Sequence, residues 1–80
     1  MNKKEILGKL QEIFRDVFED ESLEIQDSTS SADIDEWDSL NHINLIMVIE
    51  NEFKIKYSFE ELATLKNVGS IIDIIDKKKE

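Results

Sequence analysis

The stretch Asp38-Ser39-Leu40-Asn41-His42-Ile43-Asn44-Leu45-Ile46-Met47-Val48-Ile49-Glu50-Asn51-Glu52-Phe53 decides how the chain folds. Asp is a strong N-cap, and its carboxylate also favours the positive end of a helix dipole. The run from Ser39 to Phe53 contains no Gly or Pro, so a helix opening at Asp38 meets no breaker. Leu45, Ile46, Ile49 and Phe53 form one stripe suited to packing on other helices. Leu40, Ile43 and Met47 form a second stripe on another side. A surface helix normally buries one apolar face and presents a polar one to water. Either this helix lies centrally and buries both stripes, or the second stripe stays exposed as a docking patch. Met47 suits an exposed patch because its flexible thioether adapts to different surfaces.

Working outward, Asn2 with Glu5 is a capping-box pair, followed by Ile6, Leu7, Leu10, Ile13, Phe14, Val17 and Phe18 at helical spacing. The spacing predicts a first helix over residues 3–19. Gly8 within it costs about 1 kcal/mol relative to Ala, which seven apolar positions outweigh. Residues 20–37 show no sustained period and carry acids, the Ser28-Thr29-Ser30-Ser31 cluster, and Leu23, Ile25 and Ile34 as isolated anchors. So long a loop in so small a domain is commonly functional or disordered, and it has room for a short helical turn. Ser58 with Glu61 announces a short third helix. Asn67 opens a fourth, with Val68, Ile71, Ile72 and Ile75 inward and Lys77-Lys78-Lys79 at a C-terminus that favours cations. Phe53-Lys54-Ile55-Lys56-Tyr57 alternates like a strand but has nothing to pair with. It is expected to be an extended link whose apolar side chains plug the core. The expectation is an all-α, four-helix bundle with a long first loop and a short third helix, in one domain over residues 1–80.

Eighty residues exclude a two-domain reading, and 40% apolar content supplies one small core. Two glycines and no proline disfavour a sandwich or barrel of many tight turns. The chain has no cysteine, so disulfide frameworks and thiolate metal sites are excluded, which suits a cytoplasmic protein. No apolar run is long enough for a membrane span, and the N-terminal residues lead into no signal-peptide pattern. The net charge of −9 opposes nucleic acid. The distribution is sharper than the total. All ten basic residues lie at or before Arg15 or at or after Lys54, leaving twelve acids and no cation between Asp16 and Phe53. Such a one-sign field either solvates the surface or steers partners of opposite charge.

Asp38-Ser39-Leu40, set between a long acidic loop and a helix start, resembles the modification site of the acyl carrier proteins. The resemblance covers essentially the whole chain: size, acidity, long first loop, the Glu50–Phe53 ending of the second helix, short third helix and Ile-rich final helix. It implies that a separate phosphopantetheinyl transferase esterifies Ser39 with 4′-phosphopantetheine, and that acyl groups ride on the arm's thiol as thioesters. It also implies that Asp38 helps place the divalent metal and the transferase during modification, and that Leu40 belongs to the same cofactor site. A serine in the first helical turn suits an added phosphodiester, because free N–H groups and the dipole favour an anion there. With no cysteine present, the working thiol has to come from the cofactor. A flexible arm presents one cargo to several enzymes by tether rather than by tight binding.

The implied partners are the transferase and acyl-loading, acyl-modifying and acyl-transferring enzymes of fatty acid or polyketide biosynthesis, met by a monomer. They would dock on Leu40, Ile43 and Met47 with help from Asp35 and Glu36 in the loop. Two departures from the family pattern stand out. Asn41, Asn44 and Asn51 occupy positions where the family's second helix often carries acids. Trp37 replaces a small or aliphatic residue, which is similar to discrete carriers of specialised pathways, and it also suits a core plug. Two alternatives remain: a carrier of an amino acid or other non-fatty acyl unit, and a helical adaptor that binds partners noncovalently.

Other constellations fail on residue grounds. Ser39 and His42 lie at i and i+3 with Asp35 or Asp38 nearby. No oxyanion loop or Gly-x-Ser-x-Gly elbow accompanies them, so no enzyme is expected. His42 shares its side with Leu45, Ile46 and Ile49 and is expected to be partly buried and hydrogen-bonded. An EF-hand starting at Asp33 would need a ligand where Trp37 stands, Gly at Asp38 and Glu at Asn44, so no metal site is assigned.

Overall fold

The computed structural model describes residues 2–79. Its helices are α1 (Lys3–Val17), α2 (Ser39–Phe53), α3 (Phe59–Ala63) and α4 (Val68–Lys78). No strand forms among the described residues, and α1 packs against both α2 and α4.

Each helix begins where its cap residue dictates. Asn2 accepts from the Glu5 N–H at 2.9 Å while Glu5 accepts from the Asn2 N–H. Ser58 and Glu61 repeat that reciprocal pattern at α3. At α4 the Asn67 side-chain Oδ1 accepts from the Ser70 N–H, and Ser70 Oγ accepts from the Asn67 N–H. These bonds satisfy first-turn N–H groups that the helix itself leaves unpaired.

The first helix ends two residues earlier than its apolar spacing implies. Glu19 adopts the left-handed conformation, φ 52°. The Asp20 N–H then donates to the Arg15 carbonyl and the Glu19 N–H to the Asp16 carbonyl. This is a Schellman closure, usually built on Gly. Here a glutamate accepts the steric cost, so the sequence carries no visible stop. Lys54 ends α2 in the same left-handed region, φ 57°.

The long loop is anchored rather than free. The Arg15 Nε–H donates to the Leu23 carbonyl at 2.7 Å, and Gln11 Oε1 accepts from the Ile25 N–H. Further along, the Val68 and Gly69 N–H groups donate to the Thr29 and Asp27 carbonyls, each at 2.8 Å. Loop backbone therefore caps the first turn of α4, and a single antiparallel bridge joins Ser30 to Asn67. The loop contains turns but no helix: its carbonyls divide between isolated turns within the loop and bonds outward to α1 and α4.

The core is a single cluster. Phe14 contacts the Phe18 and Trp37 rings edge-on at 5.6 and 5.2 Å, beneath Leu10, Leu45, Ile49, Ile71 and Ile75. Of the expected link Phe53–Tyr57, Phe53 belongs to α2 and Lys54 is left-handed; no strand forms, and Tyr57 is buried and Ile55 half-buried, as plugs of the core. The Tyr57 hydroxyl is buried without a hydrogen-bond partner, and burial pushes its pKa up. Short α3 buries none of its own five residues. It is held by its caps and by the Lys78–Glu61 ion pair at 3.0 Å, with Leu65 plugging the core just beyond it. The Ser58 N–H and then Lys78 hold the Glu61 carboxyl below its ordinary range.

The two glycines make opposite predictions. A Cβ on Gly8 meets nothing within 4 Å, so Gly8→Ala should raise stability by about 1 kcal/mol, several degrees in Tm for a chain of this size. A Cβ on Gly69 sits 3.1 Å from the Asp27 carbonyl oxygen, the atom that caps this residue. Gly69→Ala should lower Tm and speed exchange of the residue 69 amide, read by thermal melts and hydrogen exchange.

Candidate functional site

The start of α2 is fixed from both sides. Trp37 is 5% exposed and sunk against Phe14, while the next residues are at the surface. Asp38 is in extended conformation, its side chain accepts from the Asn41 N–H at 2.8 Å, and its carbonyl accepts from the His42 N–H. The Asn41 side-chain amide reaches back to the Glu36 carbonyl at 2.7 Å. Ser39, the first helical residue, is exposed, and among the described residues its hydroxyl has no partner.

Beside Ser39 runs an open groove lined by Ser31, Trp37, Asp38, His42, Leu65 and Lys66. Its floor is a coupled ring pair. The Trp37 Nε1–H donates to His42 Nδ1 at 2.9 Å, and the rings stack at 6.1 Å with 20° between planes. An indole N–H only donates, so the facing imidazole nitrogen carries a lone pair and the proton of neutral His42 lies on Nε2. Trp37 is thus the core plug, and His42 is half-buried and hydrogen-bonded. Burial lowers the His42 pKa. With its lone pair turned to Trp37, His42 offers Ser39 no base.

The two stripes of α2 separate cleanly. Leu45, Ile46, Ile49 and Phe53 are buried, while Leu40, Ile43 and Met47 are 75, 60 and 62% exposed. Asp35 and Glu36 are exposed in the turn before the helix. Asp33 serves that loop, where it accepts from the Ser30 N–H at 3.0 Å. Among the described residues no group of three His, Asp or Glu side chains is placed to hold a metal ion. Sequence reasoning missed Lys66 and Ser31, which only the fold brings to Ser39, and the 89% exposed Phe59 at the start of α3.

The family described as "Phosphopantetheine attachment site" matches residues 8–75. An acyl carrier protein of Thermosynechococcus vestitus is 35% identical over 78 residues, covering 98% of this chain and 96% of that one. The meromycolate extension acyl carrier protein of Mycolicibacterium aurum is 30% identical, covering 99% and 81%. The solution structure of a holo acyl carrier protein from Geobacter metallireducens superposes with a TM-score of 0.86 at 51% identity, covering 91% of this chain and 84% of that chain. The chain belongs to the acyl carrier protein family. It is a carrier of acyl groups on a covalently attached 4′-phosphopantetheine, which decides against the noncovalent adaptor. The start of α2 fits such a group: an unpartnered hydroxyl stands on the surface, and an open groove with one cation lies beside it.

The carrier's only Trp and only His report on each other. Protonating His42 places a proton on the nitrogen that accepts from Trp37 and breaks that bond. The folded state lowers the His42 pKa below its ordinary 6.5. The contribution to stability is therefore complete above that value and is lost as pH falls through the lowered one. Trp37 fluorescence should change with a midpoint below 6.5, and His42→Gln should abolish that step while leaving the carboxylate titration at lower pH.

Proposed function

We propose that Ser39 is the residue esterified with 4′-phosphopantetheine, and that residues 1–80 work as one carrier domain without catalysis of its own. The observation that supports this most is a free, exposed hydroxyl in the first turn of α2 directly after Asp38, the family's attachment pattern. The arm supplies the thiol that holds the acyl group as a thioester. The chain's own residues set where that arm starts. Asp38 fixes the helix start by capping Asn41, and Leu40 supplies the exposed apolar side chain next to the ester. Trp37, sunk in the core, holds the segment still.

Partner enzymes load, modify and unload the cargo by meeting Leu40, Ile43 and Met47, with Asp35 and Glu36 flanking the approach. This patch is exposed, rigidly mounted and adjacent to Ser39, and its aliphatic side chains lose little solvation on contact. No helix among the described residues is long and apolar enough to cross a membrane. A cytoplasmic, monomeric carrier fits the composition.

Intact-protein mass after incubation with coenzyme A, Mg²⁺ and a broad-specificity phosphopantetheinyl transferase tests the attachment. Wild type should gain one arm and Ser39→Ala none. A folded wild type that gains nothing, or Ser39→Ala that still gains an arm, overturns the assignment.

Ile43→Asp and Met47→Asp test the patch. Each should weaken binding of a partner enzyme roughly tenfold, the effect of about 1.4 kcal/mol, while far-UV circular dichroism stays unchanged. Unfolding of either variant would place the residue in the core instead.

A further inference from the structure

His42 keeps a donor that the fold leaves unused. Its Nδ1 is occupied by the Trp37 indole. Its Nε2 has no protein partner among the described residues, yet it is not a buried orphan. An N–H of that kind, on a residue lining the groove beside Ser39, is open to whatever enters the groove. Residues three apart on a helix stand on one face, about 5–6 Å apart at Cβ. His42 is therefore the side chain one turn along from the Ser39 hydroxyl. The stacked, hydrogen-bonded indole fixes its ring plane, so the donor is aimed before any ligand arrives.

Lys66 lines the same groove. It lies in the link between α3 and α4, where its N–H donates to Ser70 Oγ and pins its backbone. Its ammonium makes no ion pair among the described residues, although acids outnumber cations 19 to 10 in the chain. It is the only cation lining the groove. The one acid there, Asp38, already accepts from the Asn41 N–H.

A fixed neutral donor and an unpaired cation, both lining the groove beside an exposed hydroxyl, match a monoanion with two free oxygens. We propose that His42 Nε2–H and the Lys66 ammonium seat the phosphodiester that joins the arm to Ser39, and so direct the arm into the groove between the start of α2 and the α3–α4 link. This rests on Ser39 as the attachment residue. His42 and Lys66 are positioning residues. They orient the root of the arm and take no part in thioester chemistry. The Asp38 carboxylate repels the phosphodiester, and the two donors offset that repulsion.

The experiment uses wild-type, Lys66→Gln, Lys66→Arg and His42→Gln proteins, each first carried to the arm-bearing form and checked by mass. Two signals are read: the phosphodiester ³¹P shift, referenced to the same protein unfolded in urea, and the His42 Nε2 resonance before and after arm addition. Seating predicts a folded-state ³¹P shift in wild type and movement of the Nε2 resonance on arm addition. It predicts that Lys66→Gln moves ³¹P toward the unfolded reference while Lys66→Arg retains most of the shift. His42→Gln should also reduce it. Lys66 is exposed, so its variants decide alone if His42→Gln disturbs the Trp37 packing. If wild type accepts no arm, the Ser39 assignment falls. If it accepts the arm but neither signal moves, or Lys66→Gln leaves ³¹P at the wild-type value, the seat falls and the carrier assignment stands.

Discussion

Two backbone hydrogen bonds hold the functional end of this carrier together. The N–H groups of Val68 and Gly69, unpaired by the geometry of any helix start, donate to the Thr29 and Asp27 carbonyls of the long loop. They add a tie to α4 to the ones that Arg15 and Gln11 make from α1, and they satisfy loop carbonyls and first-turn N–H groups together. With them, Thr29 is buried, Ser30 pairs with Asn67, and the chain is delivered to where Ile34 and Trp37 drop into the core. Two residues after Trp37 comes Ser39, exposed. The position of that hydroxyl is set from underneath by a buried indole and from behind by a loop tied to α4. Gly69 is where the arrangement has no slack, since a Cβ there would press on the oxygen that caps it.

Much of this was legible because the helix starts are local chemistry. Asn2 with Glu5, Asp38, Ser58 with Glu61, and Asn67 each announce a cap within four residues, and all four helices begin there. Helix ends were less legible. A Gly at Glu19 would have signalled the stop of α1, whereas glutamate in the left-handed region sends no such signal. The double stripe of α2 was visible as a pattern, but which stripe faces water depends on where α1 packs, and that is a tertiary fact. Trp37 and His42 were each placed correctly as buried plug and hydrogen-bonded ring. Their bond to each other was not, because it needs the turn at Asp38 to fold one back over the other. Lys66 was invisible for the same reason: 27 positions after Ser39, it matters only once the α3–α4 link lies against the start of α2.

The fold divides labour along one helix. The inner stripe of α2 makes it a rigid post, with Leu45 and Ile49 completely buried. On the proposed attachment at Ser39, rigidity there is useful because the attached group is itself flexible. A tether samples a volume fixed by its length and by where it starts, and a wandering root would dilute the cargo's effective concentration at every partner. The outer stripe is exposed and carries no internal load. Asn41 and Asn44 add no charge to that helix, while acids crowd the preceding loop. On the proposed docking face, long-range attraction to a basic partner would be set by the loop, and close contact by apolar side chains.

The least buried helix of the bundle, α3, directly precedes the Leu65–Lys66 stretch that lines the groove. Helix α3 has five residues and buries none of them, so it depends on caps, one ion pair and the Leu65 anchor that follows. Elements with few buried contacts open at the low end of a protein's range of stabilities. Leu65 and Lys66 follow directly on α3 and line the groove beside Ser39. The Glu61–Lys78 pair at α3 is partly solvated and correspondingly weak, so the caps and the buried Leu65 carry most of that helix's anchoring.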